Sequence, residues 1–364
     1  MDRKKVVLVA RDAAPSRAFI KLEPVLRENG FDVSLLVGDG KSIVHTDEQI
    51  VFAMVGASIV ILGMSSSEEL ARPELLAGKM ANGWGIPYGF YGDVRRCWAR
   101  ARTGAWFEEL ASDAAFYFGV TQDDAVAARE VFPNASLYGT GNPLREEMAF
   151  PLFTRESVRA KLGINPEEKL VLAPGGKFAA GNMASWAIIM DALALLGDAH
   201  RFQLILSTHP GDRTPYAVDS ETHKGLNLYE ELVAFSPVPT RIVGKDMLTT
   251  SDMVPGADII VEFGSSIGIE GAYQNVPVIT LGMEVLLRRL EQASGSRMLE
   301  MAVDGLSVPV DDAHCEELAY QISKLLTPVG FEEMLAQQKK LCPMPTERGA
   351  ALHKMVDAIK VMTA

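Results

Sequence analysis

A chain of 364 residues is long enough for two domains of ordinary size. Hydrophobic residues make up 48% and charged residues 23%, a balance that fills a large core and excludes disorder as the main state. Lys and Arg total 35 against 47 Asp and Glu, a formal net charge of −12, which opposes general nucleic-acid or membrane-surface binding but leaves room for a local basic pocket.

The N-terminal apolar run Val6 to Ala10 is too short for a signal peptide, and no other run reaches spanning length. Cys97, Cys315 and Cys342 are far apart and make no metal-spaced pair. Together these features predict a cytoplasmic protein with reduced thiols and no metal site.

Short β-rich runs alternate with helical patterns. Strands are expected at Val6–Val9, Val33–Val37, Ile59–Leu62, Ile86–Phe90 and Ala114–Phe118, with helices near 17–29, 68–82, 100–111 and 122–131. Such alternation implies parallel βαβ units in an open, doubly wound sheet. The series pauses at Tyr138-Gly139-Thr140-Gly141-Asn142-Pro143, where two glycines and an Asn-Pro break any regular element. A second series follows, with strands at Leu170–Ala173, Phe202–Ser207, Thr240–Val243, Asp258–Val261 and Val276–Leu281. Residues 347–361 read as a last amphipathic helix, with Met355, Ile359 and Met362 on one face and Val356 and Val361 beside it. The expected domains are 1–143 and 144–346, with 347–364 crossing back to the first.

The strongest local signal is Ala257 to Ala272, a buried strand ending in a Gly264-Ser265-Ser266 turn that opens a helix. The first amides of a helix lack internal partners and carry partial positive charge, so this turn is a candidate seat for a diphosphate. Glu270, four residues after Ser266, can accept two hydrogen bonds from a ribose diol, each worth on the order of 1.5–3 kcal/mol. The alternative is a plain Ser265 N-cap with a solvated Glu270.

Pro174-Gly175-Gly176-Lys177 follows the first strand of the second series; its glycines permit close backbone approach, and Lys177 can neutralise a phosphate. His209 follows the next strand, where it can donate to a phosphate or act as acid or base. A bland loop and a structural histidine are the competing readings. In the first series, Asp12 (in the loop Arg11 to Arg17) and Asp93 (in Tyr91 to Arg96) are candidate general bases. Arg95, Arg96, Arg100 and Arg102, with Trp98 and Trp106 interleaved, form either a docking face for an anionic acceptor or a solvated helix face.

These segments resemble the glycosyltransferase-B superfamily, and within it the UDP-N-acetylglucosamine 2-epimerase branch. The likeness rests on Phe19 to Leu26, with its Ile20-Lys21 and Pro24; on Gly85-Ile86-Pro87-Tyr88-Gly89; on Thr140-Gly141-Asn142-Pro143; on His209-Pro210; and on Ser265 to Pro277 with Glu270. It implies two Rossmann-like doubly wound domains with a cleft between them and a nucleotide held mainly by the second. It carries His209 and Glu270 over as nucleotide-sugar contacts and makes Ser265 and Ser266 diphosphate contacts. Two motifs depart from the epimerases. The epimerases carry a His-Gly-Asp after the strand that here reads Ile61-Leu62-Gly63-Met64-Ser65, and Gly92 stands in place of the glutamate of their Glu-Ala-Gly-Leu-Arg. Epimerisation by elimination and re-addition uses those acids to move protons.

The leading expectation is therefore a metal-independent glycosyltransferase with a nucleotide-diphosphate sugar donor, UDP-linked, and an unidentified acceptor. No cofactor beyond that substrate is expected, and dimerisation is left open. A nucleotide-sugar 2-epimerase or hydrolase, and a non-catalytic binding protein of the same fold, are the alternatives.

Overall fold

In a computed structural model of the chain, the β-branched runs become parallel strands with Cα-paired registers. The structure describes residues 3–42, 44–99, 106–176, 179–209, 212, 216–218, 225–244, 247–284, 287–288, 291–292, 302, 305–311 and 314–364. Lys177, Arg100 and Arg102 lie outside the described residues. Residues 1–147 with 345–364 form one compact unit and residues 148–344 a second.

The first unit runs β1 (Lys5–Ala10), α1 (Ala13–Glu28), β2 (Asp32–Val37), α2 (Asp47–Met54), β3 (Ile59–Gly63), α3 (Arg72–Trp84), β4 (Tyr88–Tyr91), α4 (Glu108–Ala111), β5 (Phe116–Gly119), α5 (Gln122–Ala127) and β6 (Ser136–Gly139). Its six strands lie in the order β2-β1-β3-β4-β5-β6, all parallel. Val6 to Val9 and Ile59 to Leu62 are fully buried, as strands covered on both faces must be. Between 100 and 111 the described helix is only Glu108–Ala111. The strand β6 was not anticipated, because it is short and none of its residues is fully buried.

The second unit runs α6 (Arg155–Leu162), β7 (Glu168–Pro174), α7 (Ala179–Leu195), β8 (Arg201–Ser207), β9 (Tyr216–Val218), β10 (Gly225–Asn227), α8 (Leu228–Ala234), β11 (Thr240–Val243), α9 (Thr250–Met253), β12 (Ile259–Glu262), α10 (Ser266–Tyr273), β13 (Val278–Gly282), β14 (Val308–Asp311), α11 (Cys315–Leu325) and α12 (Pro328–Leu341). Its main sheet is β11-β8-β7-β12-β13-β14, all parallel, while β9 and β10 form a small antiparallel pair. β14 escaped the sequence pattern because it contains Pro309, which an edge strand tolerates.

The last helix, α13 (Ala350–Met362), belongs to the first unit. Met355, Val356 and Ile359 bury against Phe19, Leu22 and Leu26 of α1, whereas Val361 is 72% exposed and lies on the solvent side. Its first turn is anchored by Glu146, whose carboxylate accepts the Ala351 amide at 2.8 Å. Both sheets thus have the α/β doubly wound arrangement expected from the sequence.

Candidate functional site

In a doubly wound sheet, ligands bind at the carboxyl ends of the strands, where the strand order reverses. In the second unit that reversal falls between β7 and β12. Gly175 and Gly176 follow β7, and the Gly264-Ser265-Ser266 turn follows β12, so topology brings together two segments almost ninety positions apart.

A side chain at Gly175 would be crowded. A Cβ there would lie 3.0 Å from the Ser207 carbonyl oxygen and 3.0 Å from the Trp186 ring. Its amide donates to Ser207 O at 2.7 Å, fixing the β7 end to the β8 end. The Gly176 amide donates to Asn182 Oδ1 at 2.7 Å. Asn182 is wholly buried, and its Nδ2 donates to Gly176 O, Asp212 Oδ2 and Tyr229 Oη at 3.0–3.1 Å. The Tyr229 hydroxyl also donates to Asp212. Burial first, and then the Asp212 carboxylate, push the Tyr229 phenol up to about 12. This network holds the Gly-Gly turn rigid from behind. His209 is half-buried just past β8, and its carbonyl accepts the Asp212 amide at 2.9 Å.

The Gly264–Ser266 turn is open to solvent: Gly264 and Ser266 are exposed, and Gly264 adopts φ +89°, a conformation that favours glycine. Two of its amides, however, turn inward. Glu262, at the end of β12 and fully buried, accepts the Ser265 N–H through Oε2 and the Thr280 hydroxyl through Oε1; the Gly264 amide also bonds to it. Burial pushes this carboxyl up to about 7 despite those bonds. Ser265 is the N-cap of α10, its hydroxyl accepting the Ile267 amide at 3.3 Å. Ser266 is left with an N–H and a hydroxyl that make no hydrogen bond among the described residues. The expectation that the whole turn presents its amides therefore narrows to Ser266.

Glu270 is 8% exposed. Its Oε2 accepts the Ser251 hydroxyl at 2.8 Å, and its Oε1 accepts Gln274 Nε2 at 3.4 Å. Burial raises its pKa above the ordinary carboxylate value, with nearby Asp252 adding to the effect. It is a positioned, partly desolvated acceptor rather than a solvated surface group.

In the first unit the order reverses between β1 and β3. Asp12, after β1, is the N-cap of α1: Oδ1 accepts the Ala13 amide at 2.7 Å and Oδ2 the Ser66 amide at 3.0 Å. Both oxygens already serve as acceptors of backbone amides. Asp93 is 6% exposed; the Cys97 thiol lies 3.7 Å from its Oδ1, and its carbonyl accepts from Asn142 Nδ2. The basic stretch is also less free than a solvated face. Arg95 donates to Thr121 Oγ1 at 3.0 Å, the Arg96 amide and the Trp98 indole both donate to Asp124, and Trp106 is buried with its indole donating to Ser65 O.

Sequence reasoning missed Glu74. It sits in α3, fully buried, and accepts the Arg11 amide at 3.1 Å and the Ser65 hydroxyl, so it ties together the loops after β1 and β3. Burial pushes its carboxyl up to about 7. Glu262 was also passed over, although a lone acid closing an apolar strand was a usable signal. Glu74 opens an ordinary helix and offered none. Among the described residues, no cluster of three metal-ligating side chains occurs, and no helix is long and apolar enough to cross a membrane.

Each sheet with its helices is a Rossmann-like α/β unit, the fold also seen in solved UDP-N-acetylglucosamine 2-epimerases and a glycosyltransferase. The chain is similar to the UDP-N-acetylglucosamine 2-epimerase of Neisseria meningitidis bound to UDP-GlcNAc, at 12% identity and a TM-score of 0.58, covering 98% of this chain and 100% of that one. A glycosyltransferase from Rickettsia africae matches at 14% identity and a TM-score of 0.57 over 100% and 99% of the two chains. A candidate UDP-N-acetylglucosamine 2-epimerase of Listeria monocytogenes matches at 12% identity and a TM-score of 0.60 over 99% and 96%. No family model and no curated protein sequence matches the chain.

Proposed function

We propose that this protein binds a nucleotide-diphosphate sugar through its second unit and transfers the sugar to an acceptor without a metal ion. The observation that carries the reading is the meeting of Gly175-Gly176 with the Gly264–Ser266 turn at the β7/β12 reversal, with Glu270 held by Ser251 one helical turn further on. In this reading Ser266 donates to the diphosphate and Glu270 accepts from the ribose hydroxyls. Lys177 and His209 offset the charge of the departing diphosphate. The proton from the acceptor goes to Asp93 or Asp12. Ser265 acts through its cap, setting the helix entry on which Ser266 stands.

The test is calorimetry of the full chain with UDP, GDP, CDP and TDP. UDP is expected to bind with a dissociation constant below about 1 mM, or roughly −4 kcal/mol. Failure of all four nucleotides to reach that affinity rejects the proposal. Glu270→Ala is expected to weaken UDP at least about tenfold, the value of one charge-assisted hydrogen bond.

A second reading, an epimerase or hydrolase acting on the nucleotide sugar alone, draws on Glu74, an acid that joins the loops after β1 and β3 at the strand reversal of the first unit. Incubation with donor alone, followed by NMR of the sugar carbons, separates the two. A donor left unchanged across a panel of nucleotide sugars counts against the second reading.

A further inference from the structure

A pocket of 590 Å³ lies at the amino ends of β7, β12 and β13, the edge of the second sheet away from the Gly264–Ser266 turn. Its volume falls within the range of small-molecule sites, roughly 300–1,000 Å³. One side is cationic. Asp258 is surrounded by Arg155 at 2.7 Å, Arg159 at 3.1 Å and Lys169 at 4.0 Å, and the Glu168 carboxylate also feels Arg159, so three cations face two carboxylates. Arg159 is saturated by Asp258 and the carbonyls of Gly256, Asn165 and Glu168, and Arg155 also donates to Ala257 O at 2.7 Å, but the Lys169 ammonium makes no hydrogen bond among the described residues. The other side is apolar and open, with Phe331 37% and Met344 44% exposed.

We infer that this pocket binds a small anionic amphiphile, a phosphate or carboxylate carried on an apolar group, with the anion at Lys169 and Arg155 and the apolar part against Phe331 and Met344. An excess of positive charge beside an exposed apolar wall, in a chain of net charge −12, selects that combination over either half alone.

The pocket is wired to α10. Gln274, which lines it, is the C-cap of that helix and donates through Nε2 both to Met148 O at 2.9 Å and to Glu270 Oε1 at 3.4 Å. Its Oε1 has no donor among the described residues, so the side chain is held from one side only. A ligand that shifts Gln274 therefore alters a hydrogen bond to Glu270. This coupling, unlike the binding itself, rests on the nucleotide reading of Glu270.

Calorimetry of the full chain with octyl phosphate, inorganic phosphate and octanol tests the binding. Octyl phosphate is expected to saturate a single site, and each half-ligand to bind at least about tenfold more weakly. Lys169→Gln and Phe331→Ser, both at partly exposed positions, are each expected to weaken octyl phosphate about tenfold. No saturation, either half-ligand binding as tightly as the whole, or both variants binding like the parent protein would overturn the inference. A UDP titration with octyl phosphate present then tests the coupling: the UDP dissociation constant is expected to change at least about threefold, and Gln274→Ala to abolish the change. If UDP does not bind at all, the nucleotide reading falls while the octyl phosphate titration still decides the pocket. A UDP constant unmoved by octyl phosphate rejects the coupling.

Discussion

Glu262 accepts the amide hydrogen of Ser265, so the carboxyl that ends β12 braces the turn that begins α10. The candidate phosphate seat is therefore built over a buried acid rather than over apolar side chains. That acid has a counterpart in the first unit, where Glu74 braces the loops after β1 and β3.

Both carboxyls are pushed up to about 7 from 4.5, chiefly by burial. Between those values the native protein holds protons that the unfolded chain has released. The stabilising contribution is full below about pH 4.5 and is lost as pH rises through about 7. Glu74→Gln imitates the protonated carboxyl and removes that share of the pH dependence, up to about 3 kcal/mol. Urea unfolding across this window should show the parent midpoint falling faster with pH than that of the variant. Parallel curves would reject the protonation of Glu74 in the native state.

Gly175→Ala places a methyl group 3.0 Å from the Ser207 carbonyl oxygen and from the Trp186 ring. The expected destabilisation is about 1–3 kcal/mol, with weaker UDP binding because the β7 end must move. Denaturant unfolding and UDP titration of the same preparation check both effects.

Asn182→Ala leaves the Gly176 amide and the Asp212–Tyr229 pair without their shared partner. The expected loss is about 1–3 kcal/mol. Tyr229→Phe removes only the bonds made by its hydroxyl and should be the milder change. Unfolding of the two variants ranks them, and the reverse order would show that Asn182 is not the centre of the network.

Asp12→Asn keeps a side chain able to cap α1 while removing a carboxylate. Thermal stability is expected to stay within about 1 kcal/mol of the parent. Turnover falls by about 10²-fold or more only if Asp12, not Asp93, takes the acceptor proton. Comparing Asp12→Asn with Asp93→Asn under saturating donor assigns the base.

Ile359→Ala opens a void between α13 and α1, where Ile359 is fully buried with Phe19 and Leu22. About 2–5 kcal/mol is expected to be lost. Val361→Ser, at a position 72% exposed, serves as the control and should change stability by less than about 0.5 kcal/mol.

The sequence by itself determined the fold class and most strands, because strands buried on both faces must be written as continuous apolar runs, as in Val6–Val9 and Ile59–Leu62. It also located the Gly264–Ser266 turn, since a glycine followed by a serine N-cap ends an apolar strand and opens a helix. Two of the four edge strands were lost: β6 is only half-buried and β14 carries Pro309, so neither has the covered-strand pattern. Only tertiary structure decided which groups of the candidate site are available. Glu262 draws in the amides of Gly264 and Ser265, Ser251 holds Glu270, and two backbone amides occupy Asp12. Those assignments depend on partners supplied by other loops and on burial that pushes a carboxyl up to about 7, and neither can be read from spacing along the chain.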